Sequence, residues 1–518
     1  MSHPDCDSCH YPSEEWKGDV KVDDHQPRTE NGDPAYLTAS SCLDFFVKWM
    51  GAKEYGPKGS RALSDEDNLL WSLLDKMWAE SPLLCLKLIF YKGDCRGGSK
   101  EKRLWLVSFF WLMDRHQVVA EKCLQHVPFF RYWKDLVKIA GKGPYWSQLV
   151  ASLFYSQLTK DLDALRNPET NKGISLCAKW VPTEKSAGDR SAPLLLPSIR
   201  SLFGMDARQF RKTVTTPLRA HVKVVESFMC SQRWGSIEYS HVPSVAMNTY
   251  RKAFQLHDGE RFAEWLQKLK SGDKSVKIQV GQLFPHTVAQ AYLRGGAYDE
   301  LTEQQWKALV EKTRALGTFD KALVVSDTSG SMSGVPMDVS VSLGVLISNS
   351  AKGAWKNILV NFDSNPAFHK LTGTCLRDDI STVQSVPWGG STNLDGVFDI
   401  LLSRAKEMEV PAEDMVTRIF ILTDMQFNAA CGGDGALVRA AEKFKAAGYQ
   451  VPEIVCWNLR DSIVSVAAED HTQGVCMLSG FSQDALKAVL KGGVPSPYQT
   501  MVNAVEDPRY DVLNAILL

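Results

Sequence analysis

The sequence predicts an α + α/β protein: an all-helical N-terminal region, an irregular solenoid or bundle, followed by a doubly wound α/β domain. Apolar residues recur at helical spacing almost without a break from Leu37 to Leu316. After Gly317 the pattern changes to short apolar runs that alternate with amphipathic stretches, as strands and crossover helices of a parallel sheet do. Two of those runs end in carboxylates, Asp327 and Asp424, and break into polar loops. Open α/β sheets bind ligands at that carboxyl edge.

A chain of 518 residues is long enough for two to four domains. The pattern divides it into residues 1–37, 38–316 and 317–518. Its 44% hydrophobic and 23% charged content is that of a soluble globular protein. A net charge of −1 excludes polyanion binding by bulk charge, so any such role must come from a local patch. Twelve scattered cysteines form no disulfide framework, which points to reduced thiols and a cytoplasmic or nuclear compartment. No apolar run approaches the ~20 residues that span a bilayer. The acidic, polar start lacks the features of a secretory signal, so neither a membrane anchor nor secretion is expected.

Residues 1–37 are rich in Asp, Glu, Pro and Gly, and predict a mobile tail. Cys6, Cys9 and His10 lie together there, with His3 and His25 nearby. The second ligand pair of a zinc finger is missing, and an incidental thiol pair is the default reading. In the helical region, Ser64-Asp-Glu-Asp67 opens a helix with acidic first-turn residues. Further helices are predicted at Pro82–Tyr91, Lys100–Arg115, Val118–His126, Phe130–Ala140, Tyr145–Leu165, Pro217–Gln232, Val245–Gln255, Glu260–Lys270, Pro285–Leu293 and Thr302–Ala315. Most aromatic residues there, Phe109, Phe110, Trp111, Phe129, Phe130, Tyr132 and Trp133 among them, read as helix-packing core.

Charge is unevenly spread. Between Lys172 and Lys223 ten Lys or Arg face three acids, and Lys87–Arg103 holds six bases and two acids. Local Lys/Arg density is the footprint of nucleic-acid binding, with a solvated surface as the competing reading. The candidate phosphate contacts are Arg96, Lys100, Arg103, Lys179, Arg190, Arg208, Arg211, Lys212 and Arg219. Thr216-Pro217 reads as the start of a new helix, which places Arg219 in a first turn beside free N–H groups. No G-x-x-x-x-G-K-[ST] loop occurs, so nucleotide hydrolysis has no support.

Six strands are predicted after the boundary: Asp320–Ser326, Asn357–Phe362, Ala367–Leu371, Thr417–Thr423, Glu453–Trp457 and Val475–Leu478. Helices at Val335–Lys352, Leu394–Met408, Ala436–Ala447 and Gln483–Leu490 alternate with them. The first strand runs into Asp327-Thr-Ser-Gly-Ser-Met-Ser333. A carboxylate and two hydroxyls at i, i+2 and i+4 of a strand-to-helix turn can converge on one hard divalent cation. The glycine-rich turn Trp388-Gly-Gly-Ser-Thr-Asn-Leu394 offers Thr392, and Arg418-Ile-Phe-Ile-Leu-Thr-Asp424 ends in a second carboxylate. Helix capping is the competing explanation for such residues, but three separate loops agree.

This order of residues resembles a von Willebrand factor A domain with its metal-ion-dependent adhesion site. The resemblance implies that Ser329, Ser331 and Thr392 coordinate Mg²⁺, or another hard divalent cation, directly. It implies that Asp327 and Asp424 act largely through water, and that one position stays open for a carboxylate from a protein partner. One departure is Met425, which stands where the family has glycine and is expected to narrow access to the metal. The Arg96-Gly-Gly loop, Phe130-Arg-Tyr-Trp-Lys-Asp-Leu136, Lys179-Trp-Val-Pro182, Trp234–Ser244 and Met247–Phe254 resemble landmarks of an intracellular family that joins a helical region to an A-type domain. The layout is also similar to the Ro/TROVE ribonucleoproteins, which bind small structured RNAs.

The expected function is a non-enzymatic scaffold: a Mg²⁺-dependent binding domain joined to a helical module that binds structured or single-stranded RNA. A purely protein-binding adaptor is the alternative, and a metal-dependent hydrolase a distant one. Asp327-Thr-Ser-Gly departs from an aspartic-protease turn by one residue, and no second matching turn exists. Hydrolysis also needs a general base, and no motif places His369 or His471 beside the site.

Overall fold

The computed structural model describes residues 38–48, 65–167, 169, 173–317, 319, 321–362, 366–385, 394–425, 436–460, 473–490 and 496–517. The N-terminal tail and its Cys6, Cys9 and His10 lie outside the described residues. The architecture is the expected one, with a helical region first and a six-stranded sheet with helices after it.

Local chemistry fixes many of the helices. Ser81 accepts a hydrogen bond from the Leu84 N–H and precedes Pro82, the first residue of the helix Pro82–Gly93. Asp299 does the same for Thr302 at the start of Glu300–Arg314. Lys102–Arg115 and Pro144–Arg166 follow the predicted stripes closely. The Pro217–Gln232 helix is a correction. It is split into Thr216–His221 and Val225–Cys230, with Lys223 between them at a φ of 51°. The expected start at Thr216 is also absent. A π-helical turn over Arg211–Thr215 leads straight into Thr216–His221, so that Pro217, which has no N–H, sits inside a continuous helical run.

All six strands form: β1 (Ala322–Asp327), β2 (Ile358–Phe362), β3 (Phe368–Lys370), β4 (Arg418–Thr423), β5 (Glu453–Asn458) and β6 (Val475–Ser479). Their order is β3-β2-β1-β4-β5-β6, parallel throughout except for β3, which runs antiparallel to β2. The central strands are buried along their length, as apolar runs such as Leu323-Val-Val325 and Ile419-Phe-Ile-Leu422 require. Within the α/β domain the sequence pattern does not predict the helices Leu376–Gln384 and Pro497–Val505 or the 3₁₀ segment Pro508–Ile516, and in the helical region it does not predict Ser41–Lys48 or Leu195–Phe203.

The two regions interlock. The helix Ser41–Lys48 covers β6 at the sheet edge, where an open strand would otherwise expose unpaired backbone. Asn458 Nδ2 donates to the Val47 carbonyl (3.1 Å), and the buried Lys92 ammonium reaches the Phe46 carbonyl and Ser479 Oγ, both at 2.9 Å. At the other end, Pro508–Ile516 docks on the helical region. Arg509 Nε pairs with Asp94 at 2.7 Å, the Tyr510 hydroxyl donates to the same carboxylate (3.2 Å), and the Tyr510 ring stacks on Phe130. One hydrophobic core runs through both regions. A second, smaller cluster holds Tyr239, Met247, Phe254, Phe262 and Trp265, and accounts for most of the Trp234–Ser244 and Met247–Phe254 landmarks as packing.

Candidate metal centre at the sheet edge

The strand order reverses direction between β1 and β4, and that switch point is where open α/β sheets leave a crevice at their carboxyl ends. Asp327 is the last residue of β1, and Asp424 follows β4 directly. The Asp327 carboxylate is fully buried. One oxygen accepts the Ser329 N–H (2.9 Å) and the other accepts the Thr423 hydroxyl (2.7 Å). Beyond it the chain makes a 3₁₀ turn over Gly330–Met332, pinned by the buried Met332 side chain. The turn brings Ser329 Oγ and Ser331 Oγ within 3.0 Å of each other.

That spacing can be tested against a metal. Two adjacent ligands of an octahedral Mg²⁺ at ~2.1 Å are separated by about 3.0 Å, so the two hydroxyls match one edge of such a site. Each Asp327 oxygen accepts one hydrogen bond within the protein and keeps a lone pair that could accept from a metal-bound water. Burial pushes its carboxyl up to about 6; the hydrogen bonds from Ser329 and Thr423 oppose that rise, and the charge of Asp424 adds to it. Two buried acids meet here, with the Arg460 guanidinium 3.8 Å from Asp424, and a divalent ion would neutralise them further. These residues fit a hard divalent ion, which would supply charge neutralisation and an open position for an oxygen ligand. Among the described residues no group of three His, Cys, Asp or Glu gathers as a metal site, and the candidate direct ligands are hydroxyls. Thr392 lies outside the described residues.

Two participants were not read from the sequence. Thr423 is a strand residue whose proximity to Asp327 follows from the pairing of β1 with β4. Arg460, beyond the end of β5, places Nη1 on the Ser331 carbonyl (2.7 Å) and 3.8 Å from Asp424 Oδ2. Met425 adopts a left-handed φ of 68°, the conformation for which glycine is best suited, and its side chain is buried in the core.

The approach is a cavity of about 550 Å³ between the two regions. Thr328, Ser329, Gly330 and Ser333 line one side, and Leu293 and Arg294 of the helical region line the other. Arg294 forks onto Asp338 at 3.0 and 2.7 Å, and Gln384 Nε2 donates to the Leu293 carbonyl (3.0 Å).

The basic candidates divide into two groups. Lys100 is buried, with its ammonium 3.0 Å from both Asp484 and the Gly281 carbonyl. Arg103 pairs with Asp67 (2.7 Å), and Arg96 donates to the carbonyls of Phe129 and Arg131. Lys179 lies 3.9 Å from Glu226 and beside the Trp180 ring. Arg219 is half-buried and holds the carbonyls of Ala178 and Val181 at 2.9 and 2.8 Å. These five heads serve the fold. Arg190 is exposed, with one nitrogen on the Lys185 carbonyl. Arg208, Arg211 and Lys212 are exposed and have no side-chain partner among the described residues.

Fold and site together define a two-part protein, a helical region clasped to a parallel α/β domain with an oxygen-lined centre at its switch point. The chain belongs to the family described as Domain of unknown function (DUF2828), whose model matches residues 29–141 and 146–319. Residues 321–511 match a second model, Domain of unknown function (DUF7788). The uncharacterized protein L728 of Acanthamoeba polyphaga mimivirus is 32% identical over 511 residues, covering 92% of this chain and 87% of that one. The crystal structure of the Deinococcus radiodurans RO (RSR) protein aligns over 90% of this chain and 99% of its own, at 13% identity and a TM-score of 0.34. That likeness is too distant to bear on function. No described helix is long and apolar enough to cross a membrane.

Proposed function

We propose that this protein is a non-enzymatic scaffold of the cytoplasm or nucleus with two binding surfaces. Its C-terminal domain is a von Willebrand A-like module. There Ser329, Ser331 and Thr392 hold Mg²⁺, Asp327 and Asp424 support the ion through water, and a partner's Asp or Glu carboxylate takes the open position. The observation that carries this reading is the pair of hydroxyls 3.0 Å apart above two buried carboxylates at the switch point. The helical region contacts RNA through the exposed cations of the 207–221 helical run. Catalysis has no comparable support. His369 is hydrogen-bonded to Asn361 on the neighbouring strand, and His471 lies outside the described residues.

The RNA surface is tested by salt. Replacing Arg208, Arg211 and Lys212 with Gln should weaken binding of several single-stranded RNAs by similar factors, since phosphate contacts position rather than specify. The slope of log K against log salt should become shallower by about 2, at roughly 0.7 per lost charge. Arg219→Gln, by contrast, should lower the melting temperature, because its guanidinium ties the Ala178 and Val181 carbonyls to the helix Thr216–His221. Absence of salt-sensitive RNA binding in the intact protein, with acidic proteins still captured, would favour the adaptor.

A further inference from the structure

Arg460 stands at the candidate metal centre, and among the described residues its guanidinium hydrogen-bonds through Nη1 alone. Its Nη1 donates to the Ser331 carbonyl at 2.7 Å and lies 3.8 Å from Asp424 Oδ2, yet 55% of the side chain is exposed. The base of this side chain is firmly set. The Arg460 N–H donates to Asn458 Oδ1 (3.0 Å), Asn458 is tied to the Val47 carbonyl, and the Leu459 N–H donates to the Thr423 carbonyl (2.9 Å). Sheet, N-terminal helix and metal loop therefore all hold the guanidinium at the rim of the centre. A guanidinium carries five donors in a fixed planar fork that matches the two oxygens of a carboxylate.

We propose that Arg460 is a ligand-binding residue of this centre and takes the second oxygen of the carboxylate whose first oxygen caps the metal. This rests on the metal-dependent reading above and sharpens it, because the preferred ligand becomes an acidic side chain with two adjacent oxygens. An amide or a hydroxyl can offer the metal an oxygen but offers Arg460 no shared negative charge. The neighbouring guanidinium also draws on Asp424, so it tempers the affinity for the metal itself.

The test uses the full-length protein with Arg460→Gln and Arg460→Lys. Mg²⁺ alone is followed by thermal shift, and a fluorescein-labelled hexaglutamate peptide by anisotropy at fixed ionic strength. The wild type should bind the peptide in Mg²⁺ and not in EDTA. Arg460→Gln should keep a Mg²⁺ shift at least as large as that of the wild type while losing peptide affinity tenfold or more. Arg460→Lys should recover only part, since an ammonium lacks the fork. Unchanged peptide affinity in Arg460→Gln overturns the proposal. So does a parallel loss of the Mg²⁺ shift, which would make Arg460 a strut for the Ser331 loop. A wild type that gains Mg²⁺ stability but binds no peptide also overturns it, whereas a wild type with no Mg²⁺ shift removes the underlying reading as well.

Discussion

Asp484→Asn should cost about 3–5 kcal/mol of folding stability, the range expected when a buried ion pair loses one partner. Asp484 is 1% exposed and sits between two lysines of the helical region, Lys100 at 3.0 Å and Lys312 at 2.9 Å. Burial alone would raise its carboxyl, but the two ammonium groups outweigh that and hold it below the usual range. Burial in turn pulls the Lys100 ammonium down, opposed by Asp484. Without the carboxylate, two ammonium groups of the helical region meet at the junction with no counter-charge from the α/β domain. Urea unfolding of wild type and variant gives the difference, and adding Lys100→Met to Asp484→Asn should recover part of it. A difference below about 1 kcal/mol would show that the junction does not depend on this pairing. Because the folded carboxyl titrates below its unfolded value near 3.8, its contribution is present above that value and is lost as the pH falls through the folded one.

Gly98→Ala should be comparably damaging, at about 3 kcal/mol or more, the upper end for overpacking. A methyl at Gly98 would lie 2.0 Å from the Tyr91 carbonyl oxygen and 3.1 Å from Asp94 Cβ. The obstacle is backbone, which cannot swing aside. The Ser99 N–H also donates to that same Tyr91 carbonyl at 3.1 Å, so the loop has no slack. Asp94, at its centre, receives Arg509 and Tyr510 from the C-terminal segment. The substitution should therefore lower the melting temperature and loosen the docking of residues 508–516. Gly259→Ala, with nothing within 4 Å of the added atom, is the matched control and should be nearly silent. Equal melting temperatures for the two variants would contradict the role given to this loop.

The same loop shows why part of the molecule was illegible. Lys92–Lys100 reads as a basic, glycine-containing phosphate loop, because sequence reports charge and says nothing of burial. In the fold, Lys92, Asp94 and Lys100 are buried, and Asp94 meets a partner 415 residues away. Arg219 misled for a related reason. A π-turn carries the helix through Pro217, which removes the free N-terminus expected beside it. The strands were plain, since doubly buried strands leave unbroken apolar runs such as Leu323–Val325. The positions of Asp327 and Asp424 at strand ends, and of Ser329 and Ser331 in the turn after β1, were legible. Thr423 and Arg460 were not, because each reaches the centre through strand pairing and loop packing rather than local spacing.

The proposed divalent-cation site rests on Ser329 and Ser331. Its most direct measurement is the change in unfolding free energy on Mg²⁺ addition, for wild type and for Ser329→Ala/Ser331→Ala. The serines are the better targets, because Asp327 also anchors the Thr423 hydroxyl and the Ser329 N–H. At ~100 times its dissociation constant, Mg²⁺ should raise wild-type stability by about 2.7 kcal/mol if only the native state binds. The double variant should match the wild type in EDTA and show no rise. An equal rise in both proteins, or none in the wild type, would contradict the site.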